Sequence, residues 1–235
     1  MHPLVETSDV TRSLNAGKFV SLAVFWGLSF PAITVGLEHI PPLLFAAFRY
    51  DIAAILLLGG AALGTEWLPR TRNDYQAVVG GGLFLIAGNA FLFLGQQTVP
   101  SGVAAILQGL VPIATTLWAL FLLDERVSAV GAVGIVLGFV GVGLVVRPTP
   151  ENLLSGDIVG KLLILLQVAS VSLGGVLVQR ADASLRSTPR AGWSMLVGAV
   201  VLHLVSLGVG EPVGFEYPLV AVGAVVYLGV FAPGL

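Results

Sequence analysis

Long apolar stretches separated by short polar segments make up most of this chain. A helix rises 1.5 Å per residue, so about 20 apolar residues are needed to cross the hydrocarbon core of a bilayer. The pattern predicts eight membrane spans, of which the eighth is barely long enough to cross. They are predicted at about residues 19–37, 43–64, 75–123 (two spans divided by a turn at 96–101), 127–146, 160–179, 191–210 and 217–235.

The fourth predicted span contains a proline near its middle. Pro112 has no N–H, so the carbonyl one turn earlier loses its helical hydrogen bond. Inside a bilayer such a carbonyl must face protein or water rather than lipid. The polar side chains of the span recur at i, i+7 and i+14, with the proline at i+11, on one helix face: Ser101, Gln108, Pro112 and Thr115. We therefore expect this face to line a cavity.

Composition supports the same class of protein. Hydrophobic residues make up 56% of the chain and charged residues 10%, whereas soluble domains carry about 25% charged residues. The net charge of −2 gives no reason to expect a nucleic-acid partner. With no cysteine, three scattered histidines and no Gly-Lys-Ser/Thr phosphate loop, the sequence predicts no metal, no cofactor and no catalytic residue. The predicted partners are membrane lipid and a small-molecule solute, with coupling to a proton or another ion.

Positively charged residues predict the orientation. With a cytoplasmic N-terminus, the inside segments hold eight Lys and Arg residues, whereas the outside segments hold two, Arg147 and Lys161. Cytoplasmic loops of membrane proteins are enriched in these residues. We therefore predict a multi-pass protein of a prokaryotic cell membrane with its N-terminus in the cytoplasm. The first 16 residues lack the features of a cleaved signal peptide.

The order of the spans repeats within the chain. The pair Gly17-Lys18 opens span one, and the pair Gly160-Lys161 opens span six, 143 positions later. A proline precedes the second span of each half and a tyrosine opens each third span: Pro42 and Pro189, Tyr75 and Tyr217. Because each repeat would hold an odd number of spans, the second half must be inverted relative to the first, as in transporters that work by alternating access.

This repeat predicts the fold class and the parts of the chain. We expect an all-α integral membrane protein, an inverted repeat of five-helix bundles with about eight of the expected ten spans present. The parts are a cytoplasmic N-terminal segment (1–16), a first repeat (17–147), a linker (148–157) and an incomplete second repeat of about three spans (158–235). Counterparts of spans four and five would fall at roughly 243–290 by the repeat logic, so the chain is expected to be truncated at its C-terminus.

Short motifs along residues 17–147 resemble those of a transporter family. They are Trp26-Gly27-Leu28-Ser29-Phe30, Phe48-Arg49-Tyr50, Leu-Gln-x-Leu-x-Pro around Gln108, and Asp124-Glu125-Arg126 before a Gly-rich span. In this order and spacing they are similar to EamA-like proteins of the drug/metabolite transporter superfamily. The resemblance implies a secondary transporter, a permease or exporter, of small organic metabolites such as amino acids, working by alternating access through a central cavity.

Polar and aromatic side chains within the spans are the candidate substrate-binding groups, because such groups inside a membrane need a partner or a role. The predicted substrate-cavity residues are Trp26, Ser29, Arg49, Asn89, Gln96, Gln108, Pro112 and Thr115. Structural alternatives stand beside this assignment. Arg49 could snorkel to the membrane surface or pair with Glu38, and Asn89 and Gln108 could hydrogen-bond to each other.

Two further groups are expected to shape the bundle. The cluster at the cytoplasmic end of span four is predicted to be a helix-end structure or an inner gate: Asp124, Glu125 and Arg126. The glycine stripe of span five is predicted to pack closely against another helix, or to form a homodimer face: Gly131, Gly134, Gly138 and Gly141.

Asp51 and His203 are the remaining ionisable groups of note inside the spans. Asp51 follows Arg49 by two positions, about 200° around the helix, so we expect it to face another helix. His203 is expected to hydrogen-bond to a neighbouring helix. An intramembrane enzyme is a weaker hypothesis, because only these two side chains could serve it. The other alternative is a transport-incompetent truncated chain that acts as a membrane interaction module.

Overall fold

A computed structural model describes residues 4–64, 66–123, 126–146, 156–214 and 216–232 of the chain. Helices make up most of these ranges, and no strand occurs within them. The described part of the chain is therefore all-α, as predicted. In chain order the helices are α1 (Leu4–Leu37), α2 (Pro42–Ala61), α3 (Arg72–Gly95), α4 (Ser101–Leu122), α5 (Ala129–Val146), α6 (Gly156–Arg180), α7 (Ser187–Gly208) and α8 (Leu219–Phe231).

Seven of these helices, α1 to α7, are long and apolar enough to span a membrane by length and composition. The eighth predicted span is shorter than expected, because α8 begins only after Pro218 and helical geometry ends at Ala232. Its 13 residues extend about 20 Å at 1.5 Å per residue, less than the hydrocarbon thickness of about 30 Å. Most of the predicted linker 148–157 lies outside the described residues, and 156–157 already belong to α6.

Helices α3 and α6 form the most extensive pair of the bundle, and α7 is the main partner of α2. Helix α6 packs on α3 and α4, α8 packs on α1 and α2, and α3 also packs on α7. The buried core follows these contacts and includes Phe45, Ile86, Phe93 and Leu202. Helix α5 lies at the edge, where Val146 is the one buried residue among those described for this helix.

Helix α3 departs from regular geometry over its middle. The segment Gly81–Ile86 is π-helical and Ala87–Asn89 forms a 3₁₀ turn, whereas both ends are α-helical. Single wide turns of this kind occur frequently at functional sites. The irregular segment ends at Asn89, whose side chain is buried in the bundle. The backbone irregularity therefore lies next to a polar side chain that faces the interior.

Helix α4 carries the irregularity that its proline predicts. The helix consists of two segments, Ser101–Gln108 and Val111–Leu122. At the junction, the N–H groups of Gly109 and Leu110 bond to carbonyls three residues earlier, each over 3.1 Å. Pro112 is the second residue of the next segment, where its missing N–H costs little. The predicted break in this span is confirmed.

The glycine stripe of α5 makes less contact than predicted. A Cβ added at Gly138 would meet the side chain of Ile113 on α4, but one added at Gly134 or Gly141 would meet no described atom within 4 Å. At Gly131 it would meet only side chains of nearby residues in sequence. Close packing within the described chain is therefore found at Gly138 alone, because α5 touches the bundle along one edge.

Two carboxylates join helix ends to neighbouring segments. Asp74, in the first turn of α3, accepts a hydrogen bond of 2.9 Å from the N–H of Leu185, which lies just before α7. Glu211, after α7, accepts hydrogen bonds from the N–H groups of Leu43 (3.1 Å) and Leu44 (2.9 Å) at the start of α2. The first N–H groups of a helix have no partner within the helix, so Glu211 supplies acceptors that α2 lacks.

Candidate functional site

Polar side chains from four helices form one hydrogen-bonded series through the bundle. We call this set the polar chain, and its members are Arg49 and Tyr50 of α2, Asn89 of α3, Gln167 of α6 and Gln108 of α4. Four of them have 2% or less of their surface exposed, whereas Gln108 is half-buried. The Gln108 end is therefore the most accessible part of the polar chain.

Each link of the polar chain is a direct hydrogen bond. Arg49 Nη2 donates to the Tyr50 hydroxyl over 2.8 Å, and Asn89 Nδ2 donates to the same oxygen over 2.7 Å. Gln167 Nε2 donates to Asn89 Oδ1 over 3.0 Å, and Gln108 Nε2 donates to Gln167 Oε1 over 2.6 Å. A side-chain amide both donates and accepts, so Asn89 and Gln167 each connect two neighbours.

Arg49 brings a positive charge into the interior of the bundle. Its side chain is 1% exposed. The guanidinium carbon lies 4.3 Å from the ring centroid of Tyr50 and 5.4 Å from that of Phe93. A cation within about 6 Å of an aromatic ring is attracted to it, so both rings stabilise the charge. The side chain does not snorkel, and Glu38 at the end of α1 is exposed.

A second polar contact, between α1 and α3, contains another predicted residue. Gln96 is buried, and its Nε2 donates to the carbonyl of Phe30 over 3.1 Å and to Thr34 Oγ1 over 3.4 Å. Its Oε1 is buried without a hydrogen-bond partner in the described ranges. Ser29 is also buried, but its hydroxyl donates to Phe25 of its own helix over 3.0 Å. These bonds place Gln96 at a helix contact rather than in the polar chain.

An apolar cavity of about 380 Å³ lies between α4, α5 and α6. Its walls include Leu110, Leu117 and Trp118 of α4, Phe139 of α5 and Val168 of α6. No member of the polar chain is among the residues that line it. The cavity is therefore separate from the polar chain.

The polar face predicted for α4 does not line this cavity. Ser101, Pro112 and Thr115 are absent from its walls, and the Thr115 hydroxyl donates to the Val111 carbonyl of its own helix over 2.8 Å. The physical reason is that serine and threonine in a helix can satisfy their hydroxyls on the preceding turn. Of this face, Gln108 alone enters the polar chain.

Comparison with known proteins agrees with this architecture. The model of the EamA-like transporter family matches residues 17–147. This chain belongs to that family. The uncharacterized inner membrane transporter YedA of Escherichia coli (strain K12) is 32% identical to this EamA-like protein over 216 residues, which cover 92% of this chain and 69% of YedA. An uncharacterized transporter of Archaeoglobus fulgidus is 26% identical over 223 residues, covering 92% of this chain and 76% of the relative.

The relatives of this EamA-like protein include a plant protein. A chloroplastic WAT1-related protein of Arabidopsis thaliana is 27% identical over 203 residues, which cover 83% of this chain and 48% of the plant protein. The family resemblance is therefore confirmed. Because the bacterial and archaeal relatives are named as transporters, the comparisons support the role of a membrane transporter.

Several predicted residues of the EamA-like protein lie away from the polar chain. Trp26 on α1 is 47% exposed, and Pro112 and Arg126 are also exposed. Asp124 and Glu125, the carboxylates of the predicted gate, lie outside the described residues. Of the eight predicted cavity residues, the polar chain brings together Arg49, Asn89 and Gln108.

Two members of the polar chain were missed from the sequence. Tyr50 lies inside a motif that carried the family resemblance, but it was not assigned to the site. Gln167 is an amide in the middle of the apolar helix α6, and a polar residue at such a position is a functional candidate by default. Through Gln167, the predicted direct bond between Asn89 and Gln108 becomes two bonds in series.

The two ionisable groups predicted to contact other helices contact each other. Nε2 of His203 lies 2.8 Å from Oδ2 of Asp51. Asp51 therefore faces α7, and His203 faces α2, so both predictions are confirmed. Arg49, on the same helix as Asp51, binds Tyr50 instead.

Proposed function

We propose that this protein is a secondary transporter of small organic metabolites such as amino acids, and that the polar chain is where the solute binds. The observation that carries the proposal is a buried arginine joined to three amides across four apolar helices. Intramembrane polar groups that face a bundle interior mark solute pathways. Secondary transporters bind their substrates at such polar groups inside the bundle, near the membrane midplane.

The chemistry of the polar chain suits a zwitterion or a carboxylate. Amides offer both donors and acceptors, and Arg49 adds a fixed positive charge. An entering solute would first meet Gln108, the half-buried end of the polar chain. Hydrogen bonds from the solute to Gln108 and Gln167 would replace the hydrogen bond between these two side chains, which forms again when the solute leaves.

The pattern of helix contacts supports an internal repeat, whose two halves are inverted because each would hold an odd number of spans. Under the proposed duplication, α1 corresponds to α6, α2 to α7 and α3 to α8. The contact of α1 with α8 then corresponds to that of α6 with α3, and the contact of α8 with α2 to that of α3 with α7; all four are present. The contact between α2 and α7 is its own counterpart, because the duplication exchanges these two helices. Exchange between such equivalent contacts is the usual basis of alternating access.

Gln108→Ala tests the solute site. We expect efflux of a labelled amino acid from cells that express the variant to fall about tenfold, the effect of losing roughly 1.4 kcal/mol of binding. The control is Gln97→Ala, because Gln97 is an exposed amide outside the polar chain. Equal transport by the Gln108→Ala variant and the wild type, at equal amounts in the membrane, would contradict the assignment.

The proposed orientation places the N-terminus and the α2–α3 and α6–α7 loops in the cytoplasm. The chain contains no cysteine, so single cysteines can be introduced directly. We expect Thr188→Cys to react with a membrane-impermeant maleimide only in inverted vesicles, and Gln97→Cys to react in intact cells. The reverse labelling pattern would show that the N-terminus and these loops lie outside the cell, opposite to the proposed orientation.

A further inference from the structure

A carboxylate and an imidazole meet between α2 and α7. Oδ2 of Asp51 and Nε2 of His203 are 2.8 Å apart, and the two side chains are 35% and 32% exposed. Asp51 lies midway along the 20-residue helix α2. An ionised carboxylate at such a depth is unfavourable alone, and a protonated imidazole beside it would compensate its charge. The pair is therefore a place where a bound proton changes the local charge.

The surroundings of the pair are mainly apolar and aromatic. Asp51 lines a cavity of about 280 Å³ together with Phe48, Ile52 and Tyr217. The ring of Phe48 lies edge-on to His203, with centroids 5.8 Å apart, and 6.4 Å from the ring of Tyr217. Tyr217 is the second titratable group of this cavity and faces it from the segment before α8. The cavity borders the carboxylate of Asp51.

Other titratable groups on the helices packed against α2 and α7 are engaged elsewhere. Arg49 lies about 200° around α2 from the pair and donates to Tyr50. Glu211 binds the start of α2, and Asp74 binds the loop before α7. Tyr227 of α8 donates to a carbonyl of α1 over 2.8 Å. Among the described residues, Asp51 is therefore the carboxylate that contacts His203.

We infer that Asp51 and His203 together bind the single proton that is exchanged during each transport cycle. This inference rests on the proposed transport function. With the proton bound, the pair is a carboxylate beside an imidazolium, and its net charge is zero. After release it is a carboxylate beside a neutral imidazole, with a net charge of −1. One N–H bond forms when the proton enters from water on one side of the membrane, and the same bond breaks when it leaves on the other.

The position of the pair on α2 explains how the proton and the solute could be coupled. The Arg49 side chain at the end of the polar chain and the Asp51 carboxylate of the proton-binding pair occupy different faces of one helix. Helix α2 also packs most extensively on α7, which carries His203. A change in charge between α2 and α7 alters their packing, and any resulting movement of α2 moves Arg49 and Tyr50 with it.

The first experiment measures proton binding without a solute. Histidine side chains of the full chain, labelled with ¹⁵N and held in nanodiscs, are titrated by NMR, with His203→Gln used to assign the signal and the exposed His39 as an internal reference. We expect the pH response of the His203 signal in Asp51→Asn to differ from that in the wild type, because the carboxylate that lies 2.8 Å from the imidazole is lost. The same pH response in both proteins would overturn the inference.

The second experiment separates coupling from transport. Proteoliposomes containing the full chain are tested for accumulation of a labelled amino acid driven by a pH gradient, and for counterflow of the same solute without a gradient. We expect Asp51→Asn to lose gradient-driven accumulation, because the carboxylate of the proton-binding pair is gone, but to retain counterflow. The matched control is Glu38→Gln, which removes an exposed carboxylate and should leave both activities as in the wild type.

The outcomes distinguish the two proposals. Wild-type counterflow without any accumulation driven by a pH gradient would overturn the proton site and leave the proposed transport function standing. Loss of counterflow together with accumulation in Asp51→Asn would assign Asp51 a structural role and also overturn the proton site. Absence of counterflow in the wild type for every amino acid tested would count against the proposed function, and the NMR titration alone would then decide whether the pair binds a proton.

Discussion

Replacing Tyr50 with phenylalanine is expected to lower transport about tenfold or more while the protein still inserts into the membrane. The variant deletes one oxygen, which accepts hydrogen bonds from Arg49 Nη2 and Asn89 Nδ2. A buried donor that loses its acceptor costs about 1–3 kcal/mol, and about 1.4 kcal/mol changes an equilibrium tenfold. Because the phenyl ring stays, the cation–π contact with Arg49 at 4.3 Å should persist. The effect should therefore report the hydrogen bonds alone.

Tyr75→Phe is the matched control for this variant. Tyr75 lies in the first part of α3 and is 55% exposed, so the loss of its hydroxyl should change neither transport nor stability. Efflux of a labelled amino acid and thermal unfolding in detergent should be measured on all three proteins. If Tyr50→Phe unfolds at a lower temperature but transports normally per folded molecule, then the polar chain is a structural network and does not bind the solute.

Most of the helical framework could be predicted from the sequence because hydropathy acts on whole segments. A run of about 20 apolar residues has few alternatives to a membrane helix, so the apolar parts of α1 to α7 lie close to the predicted spans, although α1 itself already begins at Leu4. The break in α4 was predictable for a similarly local reason, since Pro112 lacks an N–H. The exception is α8, which begins after Pro218 and ends before Ala232, whereas hydropathy detects only the longer apolar run around it.

Contacts between helices were less predictable. The sequence indicates that Arg49, Asn89 and Gln108 need partners, but not which helix supplies them, and Gln167 of α6 joins two of them from the other half of the chain. The π-helical segment Gly81–Ile86 contains no proline from which its irregular geometry could have been predicted. The glycines of α5 show the same limit, because a smooth helix face is visible in the sequence whereas the helix that would cover it is not.

Glycines of α3, α6 and α7 also lie at close helix contacts, and Gly174 of α6 gives the sharpest test of their importance, because its nearest neighbour is a backbone atom. A Cβ added at Gly174 would lie 2.5 Å from the backbone nitrogen of Leu85 in the π-helical segment of α3. Backbone atoms cannot rotate away as a side chain does. We therefore expect Gly174→Ala to lower the free energy of unfolding by about 1–3 kcal/mol, the range for overpacked cores.

Gly175→Ala is an internal control on the adjacent residue. A Cβ at Gly175 would meet nothing within 4 Å, so alanine should stabilise the helix by roughly 0.5–1 kcal/mol, as expected for Gly→Ala in a helix interior. Both variants can be compared with the wild type by denaturant unfolding in mixed micelles. Equal stability of the two variants would show that α6 does not approach α3 as closely as described.

Gly174 also links packing to the polar chain. It lies seven positions after Gln167, two turns along the same face of α6, so a shift of α6 away from α3 should lengthen the 3.0 Å bond from Gln167 to Asn89. We therefore expect Gly174→Ala to reduce transport as well as stability, whereas Gly175→Ala should reduce neither. A Gly174→Ala protein that is destabilised but transports normally per folded molecule would separate the helix contact from the solute site. In that case, the close approach of α6 to α3 would serve assembly alone.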